Sequence, residues 1–161
     1  MSEPRFAALA AELEAELEEI EALGGEAERA AGRIAAEPDT LDLRAAGSVL
    51  HDFYSGLERI FERIAIELDG GTPTGVGWHA ALLRRMSLPV ESIRPAVLSK
   101  ETASHLDVYL RFRHVFRNVY GRRLQWSRMR PLLDDLPVAL RTIGGEIRAF
   151  VAWLRRLAAE A

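Results

Sequence analysis

Apolar residues in this chain recur at helical spacing from end to end. Phe6, Leu9, Leu13, Leu17, Ile20, Leu23, Ala27, Ala30 and Ile34 fall every three or four residues. That is one apolar stripe on a long helix with an acidic outer face. Gly24-Gly25 interrupts the stripe and predicts a kink or break there. Pro38-Asp39-Thr40 ends the element and offers caps for the next. A second stripe, Leu43, Ala46, Leu50, Phe53, Tyr54, Leu57, Ile60, Phe61, Ile64 and Leu68, is the best-defined in the chain.

Gly70-Gly71-Thr72-Pro73-Thr74-Gly75 then makes a loop in which glycine and proline block a helix. A short helix is expected around Trp78–Met86, followed by an irregular turn bracketed by Pro89 and Pro95. Ser99 suits an N-cap, with Glu101 in the first turn, for a helix running to about Tyr120, where Gly121 can stop it. Ser127 and Pro137 suit the starts of two last helical pieces, the longer carrying Leu140, Ile143, Ile147, Phe150, Val151 and Leu154. With no strand pattern, repeat or linker, the expectation is a single domain over residues 1–161. Its fold class is all-α, an up-and-down bundle of four to five helices.

Composition narrows the class. No apolar run approaches the roughly 18 residues of a membrane span. The start, Met1-Ser2-Glu3-Pro4-Arg5, lacks the basic-then-apolar plan of a secretory signal, so cytoplasm is the default expectation. Zero cysteines exclude disulfides, Cys-ligated zinc and a thiol nucleophile. The net charge of −3 hides an asymmetry. Residues 1–40 carry eleven acids against three arginines, whereas Val108 to Leu133 contains no acid at all. Inside that second stretch lie Arg111, Arg113, Arg117, Arg122, Arg123, Arg128 and Arg130. These guanidiniums need anions from elsewhere, either carboxylates of other helices or phosphate. One expectation is that the acidic and basic helices screen each other, within the fold or across a dimer.

A helical wheel sharpens the basic stretch. Val108, Val115, Val119, Phe112, Phe116, Tyr109, Tyr120, Leu106 and Leu110 sweep one broad apolar arc, with Arg113 inside it. Asp107, Arg111, His114, Asn118 and Gly121 form the polar remainder, and Arg117 sits on the border. Burying a guanidinium costs several kcal/mol unless a partner is supplied, so Arg113 is informative. It is either a structural ion pair with Asp52, Glu58 or Glu62 on the second helix, or a phosphate ligand in a dry cleft. His114 and Asn118 stand one turn apart on one face, and an imidazole can move protons at neutral pH. His51, His79 and His105 offer weaker cases. No metal-ligand spacing occurs. Gly70-Gly71 follows a helix and not a strand, which fails the context of a phosphate loop. Neither a Ser-His-Asp arrangement nor a helix-turn-helix can be placed.

The run Arg113-His114-Val115-Phe116-Arg117-Asn118-Val119-Tyr120 resembles the motif of the HEPN helical domains, and within them the HepT-like toxins. That motif is an arginine, four variable residues, a histidine, one residue and a tyrosine. Arginine and tyrosine match, as does a polar residue directly after the arginine; the histidine position holds Asn118. Leu50-His51-Asp52-Phe53-Tyr54-Ser55-Gly56-Leu57-Glu58-Arg59-Ile60-Phe61 is similar to the long second helix of HepT-like proteins. Leu124-Gln125-Trp126 through Leu133 and the final helix resemble their tail, so the similarity covers roughly residues 5–155.

The resemblance implies a dimeric bundle with arginine and histidine lining a cleft at the dimer interface. It also implies RNA cleavage without metal or other cofactor, by attack of the ribose 2′-hydroxyl on the adjacent phosphate. The partner it implies is a minimal nucleotidyltransferase antitoxin that adds AMP to the motif tyrosine, here Tyr120. On this reading Arg113 stabilises phosphate, and Arg111, Arg117 and Arg122 bind RNA. An amide cannot act as a general base, so Asn118 would orient substrate and His114 would take the proton role. The alternative is a helical dimer without catalysis that binds a partner or RNA, with Arg113 a structural ion pair.

Overall fold

The acidic first helix finds its counter-charges on two neighbours. In the computed structural model, which describes residues 3–34, 36–118 and 124–160, five helices follow in order. They are α1 (Glu3–Arg33), α2 (Thr40–Leu68), α3 (Trp78–Met86), α4 (Lys100–Asn118) and α5 (Trp126–Glu160). No β-strand occurs among the described residues, only an isolated bridge between Val90 and Arg94. The all-α bundle expected from the sequence is the fold observed. No helix among the described residues is long and apolar enough to cross a membrane.

Helix α1 lies along α5 and α2, while α2 also packs on α4 and α3. Leu13, Leu17 and Ile20 of α1 meet Leu50, Phe53, Leu57, Ile60 and Ile64 of α2 and Leu136, Ile143, Ile147 and Leu154 of α5 in one core. Burying each such side chain contributes about 1.5–3 kcal/mol. Ion pairs flank the seam: Arg59 with Glu16 at 2.7 Å, Arg63 with Glu12 at 2.5 Å, Arg148 with Glu21 at 2.6 Å and Arg155 with Glu14 at 2.5 Å. Four acids of α1 are therefore matched by α2 and α5, and among the described residues none is matched by the basic α4. Their exposed setting makes each pair a minor contributor.

Two boundaries differ from the sequence expectation. Helix α1 runs unbroken through Gly24-Gly25. At Gly24 a Cβ would lie only 3.1 Å from Leu140 Cδ1, so the glycine serves the close approach of α5 and not a bend. The last two helical pieces are one 35-residue helix that passes Pro131 and Pro137. Each proline removes one N–H from the ladder, yet the turns around them are anchored by buried Met129, Leu133, Leu136 and Leu140. Tertiary packing outweighs the local penalty.

Helix starts follow their capping residues. The Asp39 side chain accepts from Asp42 N at 2.9 Å, and Asp42 accepts from Asp39 N at 3.3 Å. Ser99 Oγ accepts from Thr102 N at 3.1 Å, as expected for the α4 cap. Glu146 of α5 accepts from Ser99 N and from Thr102 Oγ1, tying the start of α4 to α5. Between α2 and α4 the chain is pinned by Arg94, whose side chain is fully buried. It donates to both oxygens of Asp69, at 2.6 and 2.7 Å, and to the carbonyls of Leu88 and Pro95 at 3.1 Å.

Close helix approach makes one glycine testable. A Cβ on Gly56 would sit 2.6 Å from Ile20 Cγ1, near the branch of a core side chain that cannot swing aside. Overpacking costs about 1–3 kcal/mol, against roughly 1 kcal/mol regained in helix propensity. Gly56→Ala is expected to lower stability in urea unfolding despite that gain; unchanged or raised stability would contradict the α1–α2 contact.

Candidate functional site

Helix α4 buries Thr102, Ala103, Leu106, Tyr109, Leu110 and Arg113. The buried face is narrower than the apolar arc of the wheel. Val108 and Val115 are 41% and 51% exposed because α4 has neighbours on one side only. They line a groove with Phe112, Leu124, Met129 and Leu132, bounded by Arg111 and Arg128. Arg113 is inside, as its place in the arc implied, at 7% exposure.

The Arg113 guanidinium meets a carboxylate of its own chain. Its Nη1 donates to Glu58 Oε1 at 2.7 Å. Of the three acids proposed as structural partners, Glu58 takes this role. Asp52 lies against His51 at 3.3 Å, and Glu62 sits one turn beyond Glu58. Arg113 is thus an ion pair with α2, one of the two roles the sequence left open for it. The pairing is incomplete. Among the described residues Arg113 Nε is buried without a partner and Nη2 makes no hydrogen bond. Nε and Nη2 form the edge of the fork that grips a carboxylate or phosphate with two parallel bonds.

Glu58 holds a second group. Its other oxygen, Oε2, lies 2.7 Å from His79 Nδ1. The carboxylate can only accept, so Nδ1 carries the hydrogen and the tautomer is set. The 3.2 Å approach of Arg113 Nη1 to the same nitrogen is then two donors converging on one acceptor. His79 stacks on Trp78, with ring centres 3.7 Å apart, and its side chain keeps 15% exposure. The ring of His114 stands edge-on to His79 at 5.5 Å. Arg113, Glu58, His79 and His114 therefore form one cluster, buried at the arginine and open at the imidazoles.

Neighbouring groups feel this charge. Burial, and then the Glu58 charge, raise the Glu62 carboxyl above its ordinary range, with His79 and Arg113 partly opposing. The Tyr54 phenol is pushed up, first by burial and then by Glu58. Among the described residues its hydroxyl has no partner. Tyr109 is likewise raised by burial and by its 2.6 Å bond to Asp135, which His105 Nε2 also approaches at 2.6 Å. Those last groups lie apart from the cluster.

The other expected site residues divide. His114 is exposed and joins the cluster, whereas Asn118, also exposed, donates its amide back to the His114 carbonyl at 2.8 Å. Arg111 spends its charge on Asp107 of the preceding turn, with Nε donating at 2.8 Å. Arg130 does the same with Asp134 at 3.0 Å. Arg117 is exposed in the last turn of α4 and has no ion pair among the described residues. Tyr120 and Arg122, with Arg123, lie outside the described residues. His79 had only a weak case in the sequence, yet the structure brings it to Glu58 and Arg113. It lies across a glycine-rich loop from α2, and no periodicity links it to Arg113. Among the described residues no group of three or more His, Asp and Glu is placed to hold a metal ion.

Breaking a buried pair from one side leaves an uncompensated charge, at a cost of about 3–5 kcal/mol. Glu58→Ala is expected to lower stability by that order, and Glu58→Met with Arg113→Met by much less, in denaturant titration. Equal losses in both would count against the pair. Glu62 gives a pH test. A raised carboxyl favours the fold when protonated, and this contribution fades as pH rises from the ordinary 4.5 through the raised value. Glu62→Gln should therefore raise melting temperature at pH 7 and lose that advantage below pH 4.5.

Comparison with known proteins places this geometry. No curated protein and no solved structure matches the chain. Residues 45–154, spanning α2 to α5 and including the whole cluster, match the family model described as HepT-like protein. The chain belongs to the HepT-like family of the HEPN superfamily.

Proposed function

We propose that this chain is the toxin component of a toxin–antitoxin pair, a homodimer that cleaves RNA without a metal ion and is silenced by its nucleotidyltransferase partner through AMP addition to Tyr120. The observation that carries the reading is the half-satisfied Arg113 guanidinium against His79, with the His114 ring edge-on to that imidazole. A buried donor without a partner costs about 1–3 kcal/mol, and such groups are found at catalytic sites. Arg113, with Nη1 on Glu58, keeps Nη2 for charge developing on phosphate. His114, exposed above it, moves a proton. Asn118 offers its amide oxygen at the same face, since its nitrogen is bonded to the helix. Arg117, with Arg122 beyond it, supplies potential for the RNA backbone, and Arg111 supplies less because Asp107 offsets it. Trp78, half-buried beside His79, offers a face for a base. The groove around Val108 and Val115 suits the partner protomer.

A second reading, a partner-binding or RNA-binding helical dimer without catalysis, is favoured by the Arg113–Glu58 bond itself. The two separate on Arg113→Lys, which keeps a cation on Glu58 but loses the planar fork. Under the enzyme reading, purified protein degrades single-stranded RNA in EDTA. Arg113→Lys and His114→Ala then each reduce the rate at least tenfold while melting temperatures stay near that of the parent. RNA cleavage that survives both changes, or its absence in the parent, favours the second reading. Mass measurement after co-expression with a nucleotidyltransferase should show an added AMP, absent from Tyr120→Phe. Binding should weaken with salt, and Arg117→Ala should reduce that slope by about 1.

A further inference from the structure

We infer that His79 of α3 shares proton transfer with His114 and takes the place that the motif assigns to its histidine and that Asn118 leaves empty. The inference rests on the proposed RNA cleavage and deepens it. Three observations converge. Nδ1 of His79 donates to Glu58 Oε2 at 2.7 Å, and Glu58 is itself fixed by Arg113. Nε2 is thereby the nitrogen left to exchange a proton, in a ring held by a carboxylate on one edge and by Trp78 on its face. The His114 ring lies 5.5 Å away, centre to centre. Two imidazoles at that separation can each reach a different oxygen of one phosphodiester, with hydrogen bonds of about 2.6–3.2 Å. The start of α3 adds to this. Gly77 caps it without a side-chain bond, so the first-turn N–H groups keep the positive end of the helix beside His79.

The charged and titratable groups facing His79 are Glu58 and Glu62 of α2 and Arg113 and His114 of α4. His79 Nε2 removes the proton of the ribose 2′-hydroxyl as the O2′–P bond forms. The P–O5′ bond breaks, and the departing O5′ takes a proton from the His114 imidazolium. The products are a 2′,3′-cyclic phosphate and a 5′-hydroxyl end, and the two histidines return to their first state by exchange with water. No oxidant, reductant or further reactant is required.

The test is His79→Asn, whose amide nitrogen can replace Nδ1 as donor to Glu58 but cannot carry a proton. Cleavage of a single-stranded RNA, binding of its 2′-O-methyl counterpart and thermal melting are measured together on the full chain. A fall in kcat of at least about 100-fold, with loss of one limb of the pH–rate profile and unchanged melting and binding, is the expected result. A variant that cleaves within a few-fold of the parent overturns the role of His79 and leaves the proposed function standing. Loss of rate accompanied by equal loss of melting or binding overturns it too, since His79 would then only hold structure. A parent protein that does not cleave removes both readings.

Discussion

A single carboxylate, that of Glu58, joins three helices at the one place where α4 carries a charge into the core. It accepts from Arg113 on α4 and from His79 on α3 while belonging to the central α2. In the protein interior two charges are stable only when each satisfies the other, and neither is free to leave without leaving a costly remainder. The rest of the site follows from that constraint. Arg113 sits in an apolar arc because Glu58 waits opposite it. His79 is oriented because the second oxygen of the same carboxylate can only accept. His114 follows Arg113, is turned outward by the helix and meets the His79 ring edge-on.

The sequence carried a good part of this. Spacing of Leu50, Phe53, Leu57, Ile60 and Ile64 defined α2, and the bounds of α3 agree with the expected Trp78–Met86. Arg113 was legible as buried because the wheel surrounds it with Leu106, Tyr109 and Leu110. Glu58 was among the acids that could answer it. Errors arose where long-range packing overrides local preference. Gly24 looked like a break because glycine is a poor helix former, but its missing side chain is space that Leu140 fills. Pro137 looked like a start because proline suits a first turn, yet Leu133, Leu136 and Leu140 hold the helix together across it. The acidic face of α1 gave no hint that its partners were Arg59, Arg63, Arg148 and Arg155. Charge shows that a partner is needed and does not show which one.

His79 illustrates the limit most clearly. It is separated from Glu58 by 21 residues and from Arg113 by 34, with a loop of four left-handed glycines before it. Wheel arguments relate residues on one helix and are silent about two helices meeting across a turn. Family patterns are written along the chain and point to α4, whereas the groups gathered around Glu58 need only be near in space.

The Arg94–Asp69 pair gives the loop arrangement a consequence of its own. Asp69 closes α2, Arg94 grips it with two bonds and also holds the carbonyls of Leu88 and Pro95. α3 is thus strung between two anchorages, one at each end of the segment from Asp69 to Arg94, with glycines as the slack on one side. The position of this short helix, and with it that of the imidazole near its start, is held from beyond the cluster, so a change in loop length would move His79 against Glu58 while leaving every residue of the cluster unchanged.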